Sequence, residues 1–153
     1  MKPILKKLIP ANPTYEQLQI VADGIAETVL DKHKKKPDYI LGVSRGGLIT
    51  AVRISHLLRV PMVPVSYSSK KGAGDNKDHA NQLPEFEKNT MLIVDDISDS
   101  GHTLKELVEH YTKSGNKVET ATVYYKDKSV HEPTYYGYLI DDDFGWVNFP
   151  WEE

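Results

Sequence analysis

Apolar residues recur along this chain at two spacings, and stretches of the two kinds alternate. Between residues 14 and 30 the apolar side chains lie three and four positions apart, which predicts a helix. Thr14 and Gln17 have the spacing of a capping box at its start. Two short apolar runs, Tyr39–Val43 and 62–67, predict buried strands, and a helical pattern separates them.

The second half of the chain continues this alternation. An apolar run at 91–94 predicts a strand, helical spacing over 104–111 predicts a third helix, and 118–125 predicts a further strand. The last third, from 135 to 151, predicts short aromatic-rich strands. Pro64 argues against a central position for its strand, because proline has no N–H to donate. Together the pattern predicts an α/β fold: a doubly wound, mainly parallel sheet flanked by helices.

Composition and charge narrow the classes of protein that this sequence can specify. Its 153 residues suffice for a single domain with one core. A net charge of −3 gives no general affinity for nucleic acid or anionic membrane, and the absence of cysteine excludes disulfides and thiol catalysis. No apolar run reaches the roughly 20 residues that span a bilayer. We therefore expect a cytoplasmic protein without a nucleic-acid or membrane partner.

The most informative segment follows the strand predicted at 91–94. That strand leads into two adjacent carboxylates, Asp95 and Asp96, and a third, Asp99, precedes the sequence Ser-Gly-His-Thr at 100–103. Small hydroxyl residues and a glycine at a helix N-terminus form a phosphate cradle, because free N–H groups point at the ligand. Neighbouring carboxylates suit sugar hydroxyls and a magnesium ion. The segment predicts a ligand with ribose and phosphate; an ordinary capped helix explains neither the glycine nor the hydroxyl spacing.

A second glycine loop follows the first predicted strand. It comprises residues 44–47, Ser-Arg-Gly-Gly, in which the glycines admit an anion to the backbone and Arg45 adds a cation. The alternative is a plain turn between strand and helix. Ligands of doubly wound sheets bind at the carboxyl ends of the strands, so this loop and the Asp95 segment should converge on one site. The long polar stretch 68–89 is either functional or disordered.

Residues 91–104 resemble a family motif. Four apolar residues, two acidic residues and an Asp-Ser-Gly-x-Thr turn resemble the 5-phosphoribosyl-1-pyrophosphate (PRPP) motif of type I phosphoribosyltransferases. Asp99 is similar to the acidic residue of the 6-oxopurine branch. Residues 43–48 resemble the pyrophosphate loop of bacterial xanthine-guanine transferases, in which the internal peptide bond can be cis. The resemblance implies a single phosphoribosyltransferase domain over 1–153.

This resemblance implies roles for the residues of both loops. Asp95 and Asp96 would take the ribose hydroxyls and a Mg²⁺ ion. His102 would be the free position of its turn, without a catalytic role. Asp99 would be catalytic, holding or accepting a proton of the base, although N-capping of the third helix is an alternative or additional role. The PRPP-binding residues would be Ser44, Arg45, Gly46, Gly47, Asp95, Asp96, Ser100, Gly101, His102, Thr103 and Leu104.

The resemblance places base recognition in a hood over about 126–153. Lys126 would meet the exocyclic O6, Trp146 would stack on the purine, Val147 would offer its backbone and Glu152 would meet the 2-position. A solvated lysine and a core aromatic are the alternatives for the first two. Asn148 and the phenylalanine after it stand where the family has more polar residues. The preferred base therefore stays open among guanine, hypoxanthine and xanthine.

The resemblance also implies a lid and an activity. The lid would begin at Ser66 and Tyr67 and comprise a mobile loop over about 68–89. The implied activity is Mg²⁺-dependent transfer of 5-phosphoribosyl from PRPP to N9 of a 6-oxopurine, with release of pyrophosphate, by a homo-oligomer (a dimer or a tetramer). Two alternatives remain: a PRPP-binding regulator, for which the chain lacks a basic nucleic-acid surface, and a transferase for a non-purine acceptor.

Overall fold

The computed structural model describes residues 9–71 and 81–152. Helices and strands alternate along this part of the chain, as the hydrophobic pattern predicts. In chain order the elements are α1 (Tyr15–Lys32), β1 (Tyr39–Val43), α2 (Gly47–Leu58), β2 (Met62–Val65), β3 (Thr90–Ser98), α3 (His102–Lys113), β4 (Lys117–Lys126), β5 (Tyr135–Ile140) and a 3-10 helix (Asp142–Phe144).

The five strands form one parallel sheet in the order β2-β1-β3-β4-β5. The chain runs outward from β1 to β2, then returns to the other side of β1 and builds β3, β4 and β5. The order therefore reverses between β1 and β3, and ligands of such sheets bind in the crevice at this reversal. The prediction of a doubly wound, parallel α/β sheet is confirmed.

Side chains of the sheet alternate between two cores. Leu92 and Val94 of β3 pack with α1 and α2, whereas Met91 and Ile93 pack with α3. All four are at most 2% exposed. A strand covered on both faces needs apolar residues at every position, which is why 91–94 is a continuous apolar run. Packing on both faces holds the central strands in place. It thereby also sets the positions of the loops at their carboxyl ends.

Helix α1 begins as the sequence predicts. The Thr14 hydroxyl accepts a hydrogen bond from the Gln17 N–H (3.2 Å), and the Gln17 side chain accepts one from the Thr14 N–H (2.9 Å). This capping box satisfies two N–H groups that the helix itself leaves free. Over the ranges 9–71 and 81–152, none of the helices is at once apolar and long enough to span a bilayer.

Three predictions about the strands differ from the structure: two strand ends and the number of strands in the last third. β3 does not stop before the carboxylates but continues through Asp95 to Ser98, because its register with β4 continues (Asp95 with Thr122, Ser98 with Tyr125). β2 ends at Val65, before the predicted residue 67. The aromatic-rich last third contains one strand, β5, among the residues described there. Pro64 lies on β2 at the edge of the sheet, and the prediction of a non-central strand is confirmed.

Candidate active site

The two predicted glycine-bearing loops meet at the crevice between β1 and β3. A Cβ added at Gly46 would lie 1.9 Å from Oδ2 of Asp96, and one at Gly47 would lie 2.4 Å from the Val94 carbonyl oxygen. Only glycine allows this approach, since a side chain would overlap β3. The peptide bond between Ser44 and Arg45 is cis, as in the loop that this segment resembles. The predicted convergence of the two loops is confirmed.

Asp95 and Asp96 form a partly buried acidic pair at this crevice. Asp95 accepts a hydrogen bond from the Asp96 N–H (2.8 Å), and Asp96 accepts one from the Ile97 N–H (2.7 Å). Burial and the adjacent charge of Asp96 raise the pKa of Asp95 well above its ordinary value. Burial also raises the pKa of Asp96, with a smaller contribution from the charge of Glu152. Two carboxylates with raised pKa values form an environment that a cation would stabilise.

The donor set fits a magnesium ion that is shared with a ligand. Within the described ranges, neither Asp95 nor Asp96 forms an ion pair with lysine or arginine, and no group of three or more acidic or histidine side chains could hold a metal alone. Mg²⁺ binds through one or two carboxylates together with water and substrate phosphates, rather than in an all-protein cage. A pair of carboxylates beside the Ser-Gly-His-Thr turn at 100–103 meets that requirement.

The turn into α3 has the geometry of an anion site. Gly101 is the N-cap residue, with φ +84°, and no side chain caps the helix. The first N–H groups of α3 are therefore available to a ligand, with the positive end of the helix dipole behind them. Leu104 is 1% exposed and can offer only its backbone, whereas His102 and Thr103 are partly exposed. Asp99 does not cap α3, so that alternative role is not observed.

Asp99 and Lys126 meet at the edge of the site. The Nζ atom of Lys126 lies 2.8 Å from Oδ1 of Asp99, with the lysine side chain 22% exposed and the aspartate 50%. The lysine is at the end of β4 and partly buried, so it is not a solvated loop side chain. The structure thus brings together the predicted catalytic carboxylate and the predicted O6 ligand.

A cavity of about 120 Å³ lies directly beside this ion pair. It contains all four residues predicted to bind the base, together with Asp99 and one of the two carboxylates of the acidic pair. Its lining residues are Asp96, Ile97, Asp99, Lys126, Gly145, Trp146, Val147, Phe149 and Glu152. The C-terminal residues thus close over the carboxyl ends of β3 and β4, where the predicted hood was expected.

The hood residues differ in what they can offer a ligand. Trp146 is 69% exposed, so it is not a core aromatic, and its ring is available for stacking. Val147 is 5% exposed and packs in the core, which leaves its backbone for the cavity. The Glu152 carboxylate accepts a hydrogen bond from the Phe149 N–H (3.3 Å), which orders the chain end.

Two apolar lining residues, Ile97 and Phe149, were not predicted. Ile97 lies within the acidic motif itself, between Asp96 and Asp99, where alternation along an extended β3 could have indicated it. Phe149 is 3% exposed and stacks on Trp151 with ring centroids 4.8 Å apart. Phe149 lies two residues after Val147, and in an extended segment this spacing places both side chains on the same face. That spacing is the only sequence signal that could have indicated Phe149 as a lining residue.

The predicted lid is described at its two ends only, since 72–80 lie outside the described residues. Ser66 pairs with Gln82 through two backbone hydrogen bonds (3.2 and 2.7 Å), which closes the base of the loop. The Tyr67 hydroxyl donates to Glu106 on α3 (3.0 Å). Past the bridge, the carbonyl oxygens of 84 and 86 accept hydrogen bonds from residues near the end of α3. A lid that moved as a unit over 68–89 would have to break these contacts.

A second, larger cavity of about 570 Å³ lies at the opposite end of the sheet. His33 and Glu119, which line it, bind each other at 2.6 Å, and Lys35 pairs with Asp38 at 3.3 Å. Of the two predicted motifs only the apolar Met91 and Leu92 line it, and none of their acidic, hydroxyl or glycine residues does. The smaller cavity at the carboxyl ends is therefore the candidate site.

The fold and the site together define a class of protein. A glycine loop, an acidic pair and a free helix N-terminus at the reversal of a parallel sheet are typical of α/β proteins that bind phosphorylated ligands. The sequence model of the phosphoribosyl transferase domain family matches residues 13–153, and the chain belongs to this family. The resemblance inferred from residues 91–104 is confirmed.

Several proteins to which this chain is similar are named as purine phosphoribosyltransferases. It is 27% identical over 149 residues to a xanthine-guanine phosphoribosyltransferase of Idiomarina loihiensis, covering 91% of this chain and 84% of the relative. It is similar to the crystal structure of a purine phosphoribosyltransferase from Pyrococcus horikoshii Ot3, with 32% identity, a TM-score of 0.77 and 93% of each chain covered. A Helicobacter pylori xanthine-guanine-hypoxanthine phosphoribosyltransferase shares the fold at 18% identity and a TM-score of 0.72, with 92% of each chain covered.

Proposed function

We propose that this protein is a purine salvage enzyme that transfers 5-phosphoribosyl from PRPP to N9 of a 6-oxopurine and releases pyrophosphate. The observation that carries the proposal is the contact of Lys126 with Asp99 at 2.8 Å beside a cavity that Trp146 and Asp96 also line. A cation, a carboxylate and an exposed indole suit the edge and face of an oxopurine. The purine specificity named for the relatives above supports this assignment.

The PRPP side of the site uses the two glycine loops. The 5′-phosphate binds at the start of α3, where the backbone of 100–104 and the hydroxyls of Ser100 and Thr103 donate hydrogen bonds. The loop 44–47 takes the pyrophosphate, with Arg45, which is exposed, as its cation. Asp95 and Asp96 take the ribose hydroxyls.

The same acidic pair is the proposed metal site. Asp96 and Asp95 would hold Mg²⁺ together with PRPP oxygens and water. When bound, the ion neutralises charge on the pyrophosphate leaving group. The raised pKa values of both carboxyls support the assignment, because a bound cation would offset the charge that burial disfavours.

The base side of the site determines which acceptor reacts. Lys126 donates to O6, which favours an oxo group over the amino group of adenine, and Asp99 holds or accepts the imidazole proton that the base loses. Trp146 stacks on the ring, the Val147 backbone binds its edge, and Glu152 meets the 2-position. The transition state has oxocarbenium character, so positioning and charge neutralisation supply most of the catalysis.

A lid starting at Ser66 and Tyr67 would exclude water from the oxocarbenium-like species, which water would otherwise hydrolyse. The bridge between Ser66 and Gln82 falls within this segment, and the lid over about 68–89 stays a prediction. The dimer or tetramer and the cytoplasmic location stay predictions.

An assay with Mg²⁺, PRPP and six bases tests the proposal. Pyrophosphate release is followed with guanine, hypoxanthine, xanthine, adenine, uracil and orotate, each with and without EDTA. We expect turnover confined to the first three bases and abolished by EDTA. Turnover with uracil or orotate would favour a non-purine acceptor. PRPP binding without turnover of any base would favour a regulatory protein.

A further inference from the structure

Ser129 lies outside both motifs but contacts the two chain segments that carry the Asp99–Lys126 pair. It belongs to the connection between β4 and β5, where its N–H donates to the Lys126 carbonyl oxygen (3.0 Å). Its hydroxyl lies 2.8 Å from the hydroxyl of Ser98, the residue before Asp99. Ser129 therefore joins the end of β4, through its backbone, to the end of β3, through its side chain.

The same connection packs against residues 100–104, the turn proposed to bind the 5′-phosphate and called the phosphate turn below. A Cβ added at Gly101 would lie 2.2 Å from the Ser129 hydroxyl oxygen and 2.7 Å from the His131 nitrogen. The Val130 N–H donates to the Ser100 carbonyl oxygen (2.9 Å). The backbone of the turn thus rests directly on residues 129–131, with no room for a side chain between them.

These contacts are anchored in the protein interior. The hydroxyl oxygens of Ser98 and Ser129 lie 2.9 and 3.0 Å from the His131 carbonyl oxygen. Because each hydroxyl has one proton, one of them donates to this carbonyl and the other donates to the neighbouring serine hydroxyl. The His131 ring lies 2.8 Å from the hydroxyl of Thr120 within β4. Ser98 and Thr120 are each 1% exposed. A buried hydrogen-bonded cluster resists rearrangement, because an unpaired buried hydroxyl is unfavourable.

We propose that Ser129 is a positioning residue for PRPP: through Ser98 and Gly101 it holds the phosphate turn in its binding geometry. The inference rests on the proposed function, since it concerns the 5′-phosphate of PRPP. Ser129 does not touch the ligand. Backbone N–H groups that are already oriented bind an anion without the loss of conformational freedom that a flexible turn would incur.

Ser129→Ala tests the proposal, because it removes the hydroxyl and keeps the backbone bond to Lys126. We expect the KM for PRPP to rise roughly three- to tenfold, the effect of one lost hydrogen bond. The KM for guanine should stay within about twofold, since Lys126 keeps its support. Ser98→Ala should give the same split, and the double variant should be no worse than either single one, because both remove one shared contact.

Ser55→Ala is the matched control. Its hydroxyl donates to the Val60 carbonyl oxygen (2.6 Å) in a partly buried position at the end of α2, away from both loops. It should lose a similar amount of stability and keep the KM for PRPP. Equal shifts in Ser55→Ala and Ser129→Ala, or a parallel rise in both KM values, would show a merely structural role and overturn the proposal.

Failure of the proposed function is distinguishable from failure of this inference. If the wild-type protein turned over no base, the Kd of Mg²⁺-PRPP measured by calorimetry would replace KM for the same variants. A weaker Kd in Ser129→Ala than in Ser55→Ala would still support the positioning role. An unchanged Kd, or an unchanged KM in an active enzyme, would overturn it.

Discussion

Lys126 neutralises Asp99 across the mouth of the cavity, with 2.8 Å between Nζ and Oδ1. The two residues are 27 positions apart, and the parallel register of β3 with β4 brings them together (Ser98 opposite Tyr125). The ion pair presents a donor and an acceptor side by side, and in the proposed complex the base would share or replace it. That order of groups matches O6 and the protonated N7 of an oxopurine.

Asp99→Asn should lower kcat by roughly 10²–10⁴, the usual contribution of a proton-transfer group. The change preserves the shape of the side chain and removes its charge and basicity. We expect the KM for PRPP to change less than about threefold, because the phosphate turn is intact. Steady-state kinetics with guanine check this, and equal losses in kcat and PRPP affinity would contradict a proton-handling role.

Lys126→Met should weaken discrimination between guanine and adenine. It retains the apolar stem and removes a charged hydrogen bond, so the ratio of the two kcat/KM values should fall roughly tenfold or more. Lys128→Met is the control, since Lys128 is exposed and pairs with Asp142 instead. Competition assays with both bases give the ratio. If the two variants behaved alike, Lys126 would have no part in base selection.

Trp146→Ala should raise the KM for the base and leave the fold intact. Base stacking contributes about 1–3 kcal/mol, which corresponds to roughly five- to 150-fold in affinity. The free energy of unfolding should change by less than about 0.5 kcal/mol, because Trp146 is 69% exposed.

Trp151→Ala should have the opposite effect to Trp146→Ala: it should lower stability more than it changes the KM for the base. Trp151 stacks on Phe149 (4.8 Å between ring centroids) and also contacts Tyr15 (6.5 Å). We expect a loss of roughly 1–3 kcal/mol in stability and a smaller effect on KM. Urea unfolding and steady-state kinetics on both variants separate the roles. A stability loss in Trp146→Ala without a KM change would exclude the stacking role.

His131 should make the protein less stable in mild acid. Burial lowers the pKa of His131 below its ordinary value of 6.5, although the charge of Glu132 opposes the shift. The folded state therefore binds fewer protons than the unfolded chain. Its stabilising contribution is complete above the unfolded pKa and is lost as the pH falls through the folded one.

His131→Gln should therefore lose less stability than the wild-type protein between about pH 7 and about pH 5. The raised pKa values of Asp95 and Asp96 act in the opposite direction, but equally in both proteins, so the difference isolates His131. Urea unfolding at several pH values gives the two curves. His56→Gln, at an exposed position of α2, should keep the wild-type dependence. Parallel curves for wild type and His131→Gln would contradict the prediction.

The fold is largely readable from the sequence, because its signals are local. Strands buried on both faces carry continuous apolar runs, as at 91–94, and the capping box at Thr14 marks the start of α1. The end of β3 is not readable in this way. Asp95 and Asp96 are polar, and this part of β3 stays extended because it pairs with a strand 27 residues later (Asp95 with Thr122, Ile97 with Tyr124).

The same distinction applies to the candidate site. Gly46 and Asp96 belong to motifs that directly follow predicted strands. Their proximity can therefore be inferred from where those strands end. Phe149 and Ser129 belong to no motif. Their positions depend on how the hood and the β4–β5 connection fold back over β3, which no local spacing encodes.

Pro64 has a consequence for how copies of this protein meet. Ile40 and Ser44 of the β1 segment donate to the carbonyl oxygens of Pro61 and Val65 (2.9 and 2.8 Å), so alternation directs the backbone of Pro64 to the open edge of the sheet. That edge therefore lacks a donor where a neighbouring strand would need one. Pro64 therefore opposes pairing of β2 with a strand of a second molecule. Such edge-to-edge pairing is the contact through which amyloid-like aggregates grow.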